Sequence, residues 1–384
     1  MTENYVNNLI NTYQSRFQKT PTAIISAPGR INLIGEHTDY SGGYVLPVAI
    51  DLRVAIAFGP RDDQTVELVS LDFDEVFRFD LGQINCHQEH WKSYLTAVAM
   101  AMQEDGYDLK GWQGVLGGTI PIGAGLSSSA AFEIACIFAF CHASHLSLPP
   151  ATIALLGQTA ETKWVGVKVG IMDQLISAAG KAEHAILLDC TSLKYEHIPI
   201  PHGTSLFVLD TMTRRSLSGS DYNKRHDEVI SAANILGLKQ LRAGSPDQLE
   251  IIHRKGSLSD DLYHRAKHVI TENQRVLEFS QAMVDEDLSA MGELINQSHQ
   301  SLKDDFEVSS PELDLIVEAA QSHPNCLGAR MIGAGFGGCA LALVESRNIG
   351  DFIDRVRSMY HEKSQRFPHI FQVASSDGGK IERL

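Results

Sequence analysis

Ala27-Pro28-Gly29-Arg30-Ile31-Asn32-Leu33-Ile34-Gly35-Glu36-His37-Thr38-Asp39-Tyr40 follows a short apolar run and carries Arg30, Glu36, His37 and Asp39 close together. Residues 22–27 are predicted to form a strand that ends at Pro28-Gly29. Glu36, His37 and Asp39 then offer a carboxylate, an imidazole and a second carboxylate. Such a group can hydrogen-bond several hydroxyls of a polyol at once. Taken alone, the stretch also suits a solvated loop held by ion pairs.

Three further stretches carry chemistry. Pro121-Ile122-Gly123-Ala124-Gly125-Leu126-Ser127-Ser128-Ser129-Ala130-Ala131 lies between a predicted strand and a predicted helix. Its glycines let backbone approach a ligand, and free N–H groups at a helix start favour an anion. The serine hydroxyls add donors and one possible Mg²⁺ ligand. No lysine follows the glycines, so this is not the common nucleotide P-loop. A serine cap on an ordinary helix is the plainer reading. Met331-Ile332-Gly333-Ala334-Gly335-Phe336-Gly337-Gly338-Cys339 would suit a loop against a ligand, or a hairpin turn. In Gly170-Ile171-Met172-Asp173-Gln174-Leu175-Ile176-Ser177 an aspartate stands at a predicted helix start, where it is stabilised as an anion. Alone it reads as a cap.

Composition narrows the classes. The chain has 384 residues, is 43% apolar and carries 47 acidic against 32 basic side chains, a formal net charge of −15. At ~150 residues per domain, two domains are expected. The acidic balance argues against nucleic acid and anionic membrane as partners. It leaves room for an anionic small molecule held by local donors and a metal ion. Cys86, Cys136, Cys141, Cys190, Cys326 and Cys339 are scattered and form no C-x-x-C pair, so buried free thiols are expected. No signal-like segment and no long apolar run stand out, and a cytoplasmic location is expected.

Along the chain, residues 1–18 read as an amphipathic helix, and strands are expected on either side of Pro47. Residues 65–71 and 76–79 alternate as exposed β does. Residues 91–103 read as a helix and 115–120 as a strand. Residues 130–145 are apolar almost all round, with Glu133 the only charge, the pattern of a buried helix. Pro149-Pro150 opens another helix, running to about residue 165. Strands are expected near 186–188, 206–209, 327–332 and 339–344, and amphipathic helices over 221–320. The mixture is α+β, with a domain change placed near residue 200.

Together these segments resemble the GHMP small-molecule kinases, and within them the galactokinase family. The string GRINLIGEHTDYSGG is similar to that family's signature, and PIGAGLSSSAA and MIGAGFGGC are similar to its phosphate-binding second motif and its third. Segment GIMDQLIS resembles the stretch bearing the active-site aspartate. The resemblance runs from about residue 20 to 345. It implies a two-domain GHMP kinase fold: an N-terminal domain (1–200) like ribosomal protein S5 domain 2, and a C-terminal α+β domain (201–384), with the active site in the cleft between them.

The resemblance also implies roles. Asp173 matches the catalytic aspartate, the base for the sugar's anomeric hydroxyl, and Arg30 the arginine that orients it. Glu36, His37, Thr38, Asp39, Gly170 and Tyr222 match sugar positions. Gly123, Ala124, Gly125, Leu126, Ser127, Ser128 and Ser129 match the ATP phosphate loop, with Ser70 a further nucleotide contact. Ser129 and Glu161 match the Mg²⁺ positions. The implied reaction takes D-galactose and ATP to α-D-galactose 1-phosphate and ADP, the entry step of galactose metabolism, with a monomeric enzyme. Phosphoryl transfer depends on positioning and charge neutralisation, so proton transfer to Asp173 is expected late.

Two stretches depart from the family pattern. Asp210-Thr211-Met212-Thr213-Arg214-Arg215 stands where many members have an Asn-rich segment, which could alter sugar preference or only packing. Lys168-Val169 replaces an Asn-Cys pair, and little effect is expected. The competing readings are a sister kinase acting on N-acetylgalactosamine or arabinose, and a non-catalytic galactose sensor. Tyr222 weighs against the N-acetyl sugar. The intact Ser127-Ser128-Ser129-Ala130-Ala131, Asp173 and Arg30 weigh against the sensor.

Overall fold

The computed structural model describes residues 2–85, 89–213, 220–346 and 349–384. Cys86 lies outside them. Helix α1 (Glu3–Phe17) leads into strand β1 (Ala23–Asn32), then β2 (Tyr44–Val45), β3 (Pro47–Pro60), β4 (Thr65–Ser70) and β5 (Glu75–Asp80). Helix α2 (Trp91–Glu104), β6 (Trp112–Gly118), α3 (Ser128–Ala143) and α4 (Pro150–Thr159) follow, and α4 passes into a π-helical turn, Ala160–Val165. Helix α5 (Met172–Ala179), β7 (His184–Asp189), β8 (Tyr195–Pro199) and β9 (Thr204–Asp210) complete the first half.

The second half is mostly helical: α6 (Ser220–Ile235), α7 (Pro246–Arg254), α8 (Asp260–Val284), α9 (Leu288–Asp304) and α10 (Pro311–Gln321). Strands β10 (Cys326–Met331) and β11 (Cys339–Glu345), helix α11 (Ile349–Ser364), and strands β12 (His369–Val373) and β13 (Lys380–Arg383) end the chain. Ser245, Ser259, Asp287 and Ser310 cap α7 to α10 with their side chains, which satisfies N–H groups a helix start leaves open.

Three sheets organise these elements. One has the order β13-β1-β3-β6-β4-β5, a second β10-β11-β9-β12, and a small third β2-β7-β8. Helix α3 packs on the first sheet. Its Glu133 and most of its apolar side chains are buried, as the uniform apolar pattern predicts. Burying such a helix on every side removes far more apolar surface from water than an amphipathic one.

Three features depart from the sequence reading. Strand β1 does not stop at Pro28-Gly29 but continues to Asn32, with its register to β3 shifting between Pro28 and Arg30. Gly29 sits in that bulge, and a Cβ there would lie 2.6 Å from the Leu126 carbonyl oxygen, so a glycine lets the serine-rich loop lie on the strand. Strand β4, expected to be exposed, is almost wholly buried because it lies between β5 and β6; the exposed edge is β5. Third, β13 pairs antiparallel with β1, so residues 380–383 complete the N-terminal sheet although they close the chain. Among the described residues, no helix is long and apolar enough to cross a membrane.

Candidate active site

Two cavities meet at one ion pair. The first, about 440 Å³, is lined by Gly123, Ala124, Gly125, Leu126, Ser127, Ser128 and Ser129 and by the glycine-rich loop after β10. The second, about 410 Å³, is lined by Glu36, His37, Asp39, Gly170 and Tyr222, among others. Arg30, Asp173, Gly333 and Ala334 line both. A group transferred from an occupant of one cavity to an occupant of the other would pass these four residues.

Arg30 stands near the end of β1, past the bulge. Its Nε donates to Asp173 Oδ1 at 2.8 Å and its Nη2 to Oδ2 at 2.9 Å, a bidentate pair. Its Nη1 donates to the Gly125 carbonyl at 2.7 Å, and its backbone N–H to Leu126 O at 3.1 Å. One residue therefore ties the sheet, the phosphate-type loop and α5 together. Burial opposes the guanidinium charge, but Asp173 and Glu36 outweigh it and hold Arg30 protonated.

Ser127 does not cap α3 with its side chain. It holds a left-handed φ of 59°, and its hydroxyl donates to Asp173 Oδ2. Asp173 is the second residue of α5 and therefore close to open N–H groups at a helix start. The cap reading of both residues gives way to a single arrangement in which Arg30 and Ser127 fix the Asp173 carboxylate.

The sugar-type cavity is built on the loop after β1. Burial and then the charge of Asp173 push the Asp39 carboxyl up to about 7. Glu36 is also raised by burial, with Arg330, Arg30 and the Gly333 N–H opposing. His37 Nδ1 is 3.1 Å from the Tyr40 hydroxyl, and its ring lies 5.6 Å from that of Tyr222 and 4.8 Å from Phe306. Gly170 is there for Asp39: a Cβ on it would fall 1.9 Å from Asp39 Oδ2. Thr38 is buried and turned inward, its hydroxyl 2.9 Å from Gly35 O and 2.7 Å from Tyr44 O. It shapes the loop and does not line the cavity.

On the phosphate side, Ser129 and Glu161 are brought together. Burial and Asp173 push Glu161 up to about 7, with the Gln174 amide and the Ser129 hydroxyl opposing. A hydroxyl and a crowded carboxylate are hard oxygen donors that fit a Mg²⁺ ion, whose other ligands are commonly phosphate and water. Glu161 reaches this place from the π-helical turn, a break that recurs at functional sites. Ser70 is elsewhere: it ends β4, is buried, lines neither cavity, and its hydroxyl has no hydrogen-bond partner.

The departures sort differently from their sequence reading. Val169, expected to matter little, lines the sugar-type cavity, while Lys168 points away to Asp227 at 3.0 Å. Asp210 accepts from the Met212 N–H at 2.8 Å, and Thr211 and Thr213 bond to the Gly338 backbone. Residues 210–213 brace the glycine-rich loop and line neither cavity. Arg214 and Arg215 lie outside the described residues.

The galactokinase of Roseiflexus sp. (strain RS-1) is 40% identical over 371 residues, covering 95% of this chain and 94% of that protein. This chain belongs to the galactokinase family. The galactokinase of Chloroflexus aggregans is 41% identical, covering 92% of each chain. Residues 11–60 match the galactokinase galactose-binding signature, 93–181 the GHMP kinases N terminal domain and 279–362 the GHMP kinases C terminal family. The crystal structure of Lactococcus lactis galactokinase complexed with galactose superposes with a TM-score of 0.93 at 34% identity, covering 98% of this chain and 99% of that one. Methanococcus jannaschii mevalonate kinase shares the fold at a TM-score of 0.65 and 20% identity, covering 93% of this chain and 99% of that one.

Some residues of this galactokinase-family site escaped the sequence reading. Gln174 Nε2 donates to Glu161 Oε2 at 2.8 Å and Glu133 Oε2 at 3.1 Å. Burial and Glu161 hold Glu133 well above the usual carboxylate range. The lone charge in an apolar helix was a signal for Glu133, and adjacency to Asp173 was one for Gln174. Asn223, next to Tyr222, also lines the sugar-type cavity.

Proposed function

We propose that this protein transfers the γ-phosphoryl group of ATP to the anomeric hydroxyl of D-galactose, giving α-D-galactose 1-phosphate and ADP. The observation that carries this reading is the bidentate Arg30–Asp173 pair at the junction of the two cavities. ATP phosphates would lie along Gly123 to Ser129, against the start of α3. Galactose would lie against Glu36, His37, Asp39, Gly170 and Tyr222.

Asp173, oriented by Arg30 and Ser127, accepts the anomeric proton late, once the oxygen–phosphorus bond is forming. Arg30 neutralises charge on the transferring group, and its fixed guanidinium needs no reorganisation to do so. Ser129 and Glu161 would hold Mg²⁺, which when bound neutralises phosphate charge. Glycine backbone on both sides of the nucleotide cavity lets the loops close on phosphate and limits water.

The proposal includes a division of the chain at about residue 200, with the β13 segment contributed to the N-terminal sheet. It also includes a cytoplasmic location, expected from the sequence, and a monomer, the state the family resemblance implies; light scattering during chromatography tests the monomer. The activity is tested by ADP release with Mg-ATP on galactose, N-acetylgalactosamine, arabinose, glucose and mevalonate. Turnover on galactose that Asp173→Ala abolishes is expected. Preferred turnover on another sugar would assign a sister kinase, and galactose binding without turnover would assign a sensor.

A further inference from the structure

Arg330, on β10 directly before the glycine-rich loop, is fully buried. Its Nη1 donates to the Asn32 carbonyl at 3.2 Å, while Nε and Nη2 make no hydrogen bond. Nη2 lies 3.7 Å from Glu36 Oε1. The same Glu36 oxygen accepts the Gly333 N–H at 2.8 Å. Glu272 is the other carboxylate whose charge acts on Arg330, and it is already engaged: Oε1 accepts from Gly35 N at 2.9 Å and Ser298 Oγ at 2.6 Å, Oε2 from Arg275 Nε at 2.7 Å.

A guanidinium taken wholly out of water is tolerated only with a charge partner. Here the carboxylate that faces the sugar-type cavity is that partner. We propose that Arg330 is a positioning residue for the sugar: it holds the Glu36 carboxyl group in one orientation against the glycine-rich loop of the C-terminal half. Arg330 lines neither cavity, so it acts through Glu36. Because Gly333 lines both cavities and donates to Glu36, the loop that borders the nucleotide also sets the sugar carboxylate.

The inference rests on galactose as the occupant of that cavity. Wild-type turnover on galactose tests that premise separately, before any variant is compared. The test measures kcat and both KM values for Arg330→Met and Arg330→Lys, with thermal unfolding of each. Loss of uniform substrate binding raises KM with little change in kcat, so Arg330→Met should raise KM for galactose about tenfold and leave KM for ATP within about twofold. Arg330→Lys restores the charge but not the fork and should fall between, about threefold. Charged groups acting on Glu36 include Arg330 from β10 and Arg30 from β1 in its favour, with Asp39 of the same cavity against. Removing Arg330 should therefore shift the acid limb of galactose binding to higher pH, an effect that loosened packing alone would not produce. If Arg330→Met does not fold, the lysine variant decides by the same split. Unchanged galactose KM, or both KM values rising together, overturns the proposal.

Discussion

At the scale of single residues, the site depends on where carboxylates are held and in which state. Asp173 is fixed from two sides by Arg30 and Ser127. Asp173→Asn keeps the shape and removes the proposed base and half of the ion pair, so kcat should fall by roughly 10²–10⁴ while galactose still binds. Near-normal turnover of that variant would remove Asp173 from the role of base. Asp39, buried and pushed up to about 7, is protonated below that pH and, on the proposed reading, would accept sugar hydroxyls above it. A sugar that hydrogen-bonds to the carboxylate favours ionisation, so binding releases a proton on the acid side and tightens as pH rises through 7. Galactose titrations without nucleotide or metal, from about pH 6 to about pH 8, should show this linkage, and Asp39→Asn should flatten it. Gly170→Ala places a methyl group on Asp39 Oδ2, and should raise the galactose KM about tenfold with a smaller change in kcat.

Among the elements, β1 and α3 do most of the placing. The bulge at Gly29 lets the serine-rich loop rest on β1, where Leu126 O accepts the Arg30 N–H. Gly29→Ala should push that loop outward and raise the ATP KM several-fold more than the galactose KM, as kinetics with each substrate varied would show. Such elements were unequally legible. The apolar run over 130–145 could only be a buried helix, and the structure puts it there. The continuation of β1 was hidden because proline and glycine are strand breakers unless a bulge accommodates them, and that bulge depends on contact with a loop about a hundred residues away. The burial of β4 was hidden because alternation marks which face is apolar, not what covers the other face. The π-helical turn bearing Glu161 leaves no sequence period to find. Of the residues that line the two cavities, Glu36, His37, Asp39 and the serine loop were legible as motifs because their chemistry is local. Arg330 and Gln174 were not, since each acts on a side chain that only folding brings near.

For the whole molecule, the two halves are held by long-range ties. Arg53 donates to Ser26 Oγ at 3.1 Å and to the carbonyls of Asp377 and Gly378, each at 2.7 Å. Burial lowers its pKa to about 10, which leaves it charged at neutral pH. It anchors the segment that carries β13 into the N-terminal sheet, and Gly379 N in turn bonds to Ser177 O of α5 at 2.8 Å. Arg53→Ala strands buried carbonyl groups, each worth ~1–3 kcal/mol when unpaired. The variant should unfold several degrees below the wild type in calorimetry, with galactose KM little changed. The charged rim of the molecule, by contrast, should tolerate single substitutions. The most direct measurement of the central claim is the identity of the product. Phosphorus NMR of a reaction with galactose and Mg-ATP should show one new phosphomonoester coupled to the anomeric proton, in the α configuration. It should be missing with Asp173→Ala although that variant still binds galactose. A phosphate on any other carbon, or undiminished product from the variant, would contradict the account.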